Sequence, residues 1–147
     1  QSTSVQFYVA VSNDGAVEDA YSYEYWSREG EKYFVPIIKQ HYKAFERLNS
    51  ISLDVRFNQA LPPNKSLKEH KAYTWWSINV HIRKELADDG FKTAFNMLQA
   101  IQQEGFQLEQ LKLEYFDVVI EIFKDEIPLI TNEKDLAKFV KTYEEVY

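Results

Sequence analysis

A chain of 147 residues, 45% of them hydrophobic, with only 4 Gly and 4 Pro, has the size and composition of one globular domain able to bury roughly 68–70% of its unfolded surface. It has no cysteine, which excludes disulfides, thiolate nucleophiles and cysteine-rich zinc sites, and no apolar run approaches the roughly 18 residues of a membrane span. The net charge of −6 speaks against nucleic acid, whose affinity comes mostly from Lys and Arg on phosphates, and for a basic protein partner.

Val5 to Val11 places large apolar residues at odd positions, the period of a half-buried strand, and Asn13-Asp14-Gly15 is a turn signal. In residues 20–27, Tyr21, Tyr23 and Tyr25 alternate with Ser22, Glu24 and Trp26; the segment is either the return strand of a hairpin or an aromatic loop. From about Val35 to Leu48, the positions Phe34, Ile37, Ile38, Tyr42, Phe45 and Leu48 follow helical spacing, with Pro36 expected in the first turn. Ile51 to Phe57 alternates as a strand, and residues 58–71, with Pro62-Pro63 and a charged stretch, read as a long loop.

Residues 72–83 form the clearest strand, with Trp76, Ile78, Val80 and Ile82 on one face and Trp75, Ser77, Asn79, His81 and Arg83 on the other. A helix then carries Phe91, Ala94, Phe95, Leu98 and Ile101, capped by Asp88 or Asp89 and ended by Gly105. Two strand-like stretches follow, 106–113 and 115–123, the second with Phe116, Val118, Ile120 and Ile122 inward and Asp117, Val119 and Glu121 outward, and the register between them is unclear. Thr131 or Asn132 starts a last helix bearing Leu136, Phe139, Val140 and Tyr143. The expected class is α+β, a mainly antiparallel sheet with helices on one face. The order is compatible with a ferredoxin-like split βαβ core and an added C-terminal helix.

Catalytic and cofactor motifs fail on spacing. His41, His70 and His81 have no metal-ligand spacing among them, and the four glycines stand singly, so no phosphate loop can be drawn. Asp117 and Glu121 on one strand would lie about 13 Å apart, beyond the ~5–9.5 Å of glycosidase carboxyls. No cofactor or metal is expected.

One constellation survives. With helices on the inward face, the outward face collects Tyr8, Asp54, Arg56, Trp75, Asn79, His81, Arg83, Asp117 and Glu121. Tyr, Trp and Arg are the residue types of interface hot spots. The competing reading has the C-terminal helix or the 58–71 loop over this face and its polar groups paired with one another. The expected function is a non-enzymatic protein-binding domain, within that class a small acidic inhibitor such as an immunity protein neutralising a basic bacterial toxin. The alternative is a small-molecule binder or small enzyme with an aromatic pocket between sheet and helices, and a homodimer is compatible with either. The expected compartment is the cytoplasm, with a secreted or periplasmic location left open.

Overall fold

A computed structural model describes residues 27–42 and 75–147 in full, and the backbone alone at 9–11, 17–19, 21–26, 51–57 and 74. The expected loop 58–71, the end of the first helix near Asn49 and Tyr8 lie outside the described residues.

Strands β1 (Val9–Val11) and β2 (Val17–Asp19) pair antiparallel, Val11 opposite Val17, as a separate two-stranded sheet. The return strand of this hairpin is therefore residues 17–19. Helix α1 (Tyr21–His41) follows and takes in residues 21–27 of the aromatic segment, so neither reading of that segment holds. Pro36 stands in the interior of α1 rather than in its first turn. An interior proline costs about 3 kcal/mol because it removes one helical hydrogen bond and clashes with the carbonyl four residues back. Here both Pro36 and Lys32, whose carbonyl is freed, are exposed, so water can take the lost bond. The buried stripe Gly30, Phe34, Ile38 and Tyr42, four residues apart, holds the helix on the core.

The second sheet runs β3 (Ile51–Phe57), β4 (Thr74–His81), β5 (Gln107–Glu114), β6 (Val119–Phe123) and β7 (Val140–Lys141), in that spatial order. Every pairing is antiparallel except β4 with β5, which is parallel and joined by helix α2 (Asp88–Gln103). The α+β class and mainly antiparallel sheet are as expected. The split βαβ core is not: α2 connects strands that are direct neighbours, with no third strand between them.

Rows of inward residues build the core, Ile78 beside Leu111 and Ile122, and Val80 beside Leu113 and Ile120, all buried under Phe34 and Ile38 of α1 and Ala94, Met97, Leu98 and Ile101 of α2. Alternation in β4 is as read. In β5 the register shifts between Trp76 and Ser77, which face Leu108 and Gln110, leaving Glu109 as an extra residue. This bulge explains why 106–113 has no single period: Leu108 points inward before it and Leu111 and Leu113 after it. Helix α2 ends as expected at Gly105, whose φ of 85° suits glycine. Its N-cap is Ala87, however, with Asp88 and Asp89 inside the first turn, where they complement the helix dipole.

The last predicted helix is broken in three: a 3-10 helix (Glu133–Phe139), β7, and a one-turn helix α3 (Tyr143–Val146). Asn132 caps the first in a reciprocal capping box with Asp135. The Asp135 carboxylate accepts from Thr131 N at 2.9 Å, Thr131 Oγ1 at 3.0 Å and Asn132 N at 3.2 Å. These bonds, led by those from Thr131, hold its pKa below the ordinary 3.8. A depressed pKa contributes stability that is present above pH 3.8 and lost as pH falls through the folded value. Asp135→Asn is accordingly expected to lower the urea midpoint near neutrality, and the difference from wild type to vanish on titration to about pH 2.

Candidate outward-face site

Alternation along β4 turns Trp75, Ser77, Asn79 and His81 away from the helices, and all four are half-buried. Register extends this face: Asn79 lies beside Lys112 and Glu121, His81 beside Glu114, and the backbone of Arg56 in β3 is opposite Trp75. Trp75, Asn79, His81 and Glu121 are thus brought together as expected. Arg83 lies past the end of β4 in an exposed bend. Asp117 does not belong to the face, because β6 begins only at Val119. It sits in the β5–β6 turn, where Oδ1 accepts from Leu86 N at 3.0 Å. Phe116, expected inward, is 67% exposed in the same turn. The turn closes through Tyr115 N to Val118 O at 2.9 Å, which ends the alternation that sequence had carried through it.

Two carboxylates on the face are buried, Glu114 at 7% and Glu121 at 8% exposure. Burying an ionised carboxylate requires partners. Glu121 has Lys141 Nζ at 3.0 Å on Oε1 and Gln110 Nε2 donating at 2.9 Å to Oε2. Glu114 accepts from the Tyr147 hydroxyl on Oε1, and His81 Nδ1 lies 2.9 Å from Oε2, a close charge contact without hydrogen-bond alignment. Lys112 Nζ donates to the Tyr147 hydroxyl at 3.1 Å. Burial alone would lower the Lys112 pKa, but Tyr147, Glu114 and Glu121 outweigh it and the net shift is upward. The C-terminal segment therefore lies against one end of the face and the carboxylates are internally paired. Sequence reasoning missed Glu114, Lys112, Lys141, Tyr143 and Tyr147. The signal for the first two was hidden by the β5 bulge. Tyr143, which opens α3, and Tyr147, just past its end, four apart with rings stacked at 6.1 Å, were legible as a helical pair.

Aromatic rings line the rest. Lys124 Nζ sits 5.1 Å from the Trp75 ring centre, Lys141 Nζ 5.3 Å from that of Phe123 and Lys112 Nζ 4.8 Å from that of Tyr147, each within cation–π range. Phe123, Tyr143 and Tyr147 are exposed. Two clefts open at opposite ends of β4. One, of about 200 Å³, is bounded by Trp75, Gln107, Lys124 and Pro128; the other, of about 220 Å³, by His81, Arg83, Glu114, Phe116 and Tyr143. Neither cleft is lined by a serine or threonine. Among the described residues no group of His, Asp and Glu could hold a metal, and no helix is long and apolar enough to cross a membrane.

No family model matches the chain, and comparison with curated proteins and with solved structures gives no significant match.

Proposed function

We propose that this chain is a non-enzymatic protein-binding domain that docks a basic partner on the outward face of its second sheet, acting as a small acidic inhibitor of the immunity-protein kind. The observation that carries this reading is the set of aromatic rings, Trp75, Phe123, Tyr143 and Tyr147, held on or beside a rigid sheet with their faces or edges open. Rings fixed in this way lose little entropy on binding and are typical anchors. Both clefts formed by the described residues fall below the ~300–1,000 Å³ of pockets that enclose drug-sized ligands, which weighs against a buried small-molecule site among those residues.

Charge refines the reading. The face's own carboxylates are buried and paired, so they cannot steer an approaching cation. Exposed acids flank the face instead: Asp125 follows β6, and Glu144 and Glu145 stand on α3. Such rim charges act mainly on encounter, within a Debye length of about 8 Å at physiological salt.

The test is kinetic, by biolayer interferometry against any basic protein encoded by a neighbouring gene. Asp125→Asn with Glu144→Gln and Glu145→Gln should slow association and flatten its salt dependence while dissociation barely changes. Trp75→Ala should do the reverse, raising dissociation roughly tenfold or more, about 1.4 kcal/mol. Binding that ignores salt and tolerates Trp75→Ala and Phe123→Ala would place the partner elsewhere.

A further inference from the structure

The two ends of the outward face carry related groups, and at one of them the chain's own tyrosine shows what such groups hold. We propose that the cleft at the Trp75 end is a socket for a phenol, the tyrosine side chain of a docked partner. The proposal rests on the docking reading above and names the residue type that the partner inserts.

At the far end, Lys112 Nζ lies 4.8 Å from the centre of the Tyr147 ring. The Tyr147 hydroxyl donates to the Glu114 carboxylate and accepts from Lys112 Nζ at 3.1 Å. A lysine over the ring and a β5 side chain at the hydroxyl thus hold a phenol against this face. The Trp75 end presents the same pair of groups. Lys124 Nζ stands 5.1 Å from the Trp75 ring centre, and Gln107, the first residue of β5, is beside Trp75 in the register. Both line the cleft. Gln107 Oε1 is buried without a hydrogen-bond partner, a costly state for an acceptor, and Lys124 makes no ion pair among the described residues.

The walls and charge define the rest of the ligand. Phe106, Leu108 and Ile127 give the cleft a buried apolar floor, and Pro128 stands at its rim in a 3-10 turn (Ile127–Leu129). Lys124 repels a cation but attracts the face of a ring, so the partner's basic side chains must lie elsewhere on the face. A carboxylate only accepts, and would leave Gln107 Oε1 unpartnered beside it. The last torsion of a glutamine is soft, and no hydrogen bond fixes this amide among the described residues. It can therefore offer its oxygen or its N–H, and a hydroxyl, which both donates and accepts, suits either. A space of about 200 Å³ holds one such ring.

Titration of the full chain with p-cresol, followed by nuclear magnetic resonance, tests the socket, with p-methylanisole, p-toluate and benzylammonium as comparisons. p-Cresol is expected to give saturable shifts at the Trp75 indole N–H and the Gln107 side-chain amide. p-Methylanisole, whose oxygen cannot donate, and p-toluate should bind several-fold more weakly, and benzylammonium should give no saturable shift. Gln107→Leu should bring p-cresol and p-methylanisole to equal affinity, and Lys124→Gln should weaken p-cresol several-fold. Lys124 is exposed, so should Gln107→Leu lose the wild-type amide spectrum, Lys124→Gln carries the test. No saturable shift with p-cresol, binding of any comparison as tight as p-cresol in the wild-type chain, or an unchanged p-cresol affinity in Lys124→Gln would each overturn the proposal. If p-cresol does not bind while Trp75→Ala still speeds dissociation of a protein partner, the socket is wrong and the docking reading stands. If p-cresol binds as expected and no basic protein docks on this face, the docking reading fails and the phenol site remains.

Discussion

Gly30→Ala is expected to destabilise the fold although alanine is the better helix former. A Cβ at position 30 would lie 2.4 Å from Cζ3 and 3.1 Å from Cη2 of Trp76, and that indole is fully buried. It cannot retreat easily: the Phe34 ring meets it at 5.3 Å and the Phe106 ring at 6.0 Å, both edge-on. Alanine in a helix interior gains about 0.8–1 kcal/mol over glycine, whereas overpacking a core typically costs about 1–3 kcal/mol. Contact with a rigid ring rather than a flexible chain end puts this site at the upper end, so a net loss of about 1–2 kcal/mol is expected. Gly30→Val, which adds two further methyl groups and loses the propensity gain, should cost about 3 kcal/mol or more. Urea denaturation measures both. In a double-mutant cycle, Trp76→Phe should absorb part of the Gly30→Ala cost, because the two residues touch. A Gly30→Ala protein more stable than wild type would show that α1 can lift from the sheet at this point.

Ile78→Asp and Val80→Asp should be still more damaging. Both residues are at most 1% exposed in β4, an interior strand of the sheet, and their row neighbours Leu111, Ile122, Leu113 and Ile120 offer a carboxylate no partner. An unpaired buried charge costs several kcal/mol, a large part of the roughly 5–15 kcal/mol that a domain has in total. Ser77→Asp and Asn79→Asp lie one residue away on the outward face. Both are half-buried rather than in the core, so a carboxylate at either should cost much less than at 78 or 80. Comparable losses on both faces by urea denaturation would mean that the outward side is sealed as tightly as the core, and that no partner could reach it.

Much of this fold was legible in the residues. The alternation in β4 and its partition into Trp76, Ile78 and Val80 against Trp75, Asn79 and His81, the stripe of α2, the Gly105 terminus and the Asn132 cap all follow from local side-chain chemistry. Each depends on a period or a cap written within a few residues, and here the rest of the chain packs in agreement with it. The class was legible too: half-buried, alternating strands, several of them consecutive in sequence, together with amphipathic helices point to an α+β arrangement.

Other features were settled by contacts between distant segments. The aromatic stretch at 21–27 alternates like a strand, yet becomes the first turns of α1, the buried stripe of which, Gly30 to Tyr42, packs on the core while Pro36 faces water. Packing of that stripe overrides the penalty of an interior proline that local rules place at a helix start. The one-residue bulge at Glu109 flips the phase of β5 and brings Glu114 onto the outward face beside His81. No local pattern marks it, because a bulge is a mismatch between two strands. The pairing of Glu114 with His81 and Tyr147, and of Glu121 with Gln110 and Lys141, joins residues up to 33 positions apart. Composition, period and caps dictate which residues are apolar-faced and where elements can begin and end. Register and long-range burial dictate which polar residues meet, because a buried charge persists only where a partner from elsewhere in the chain is held within reach.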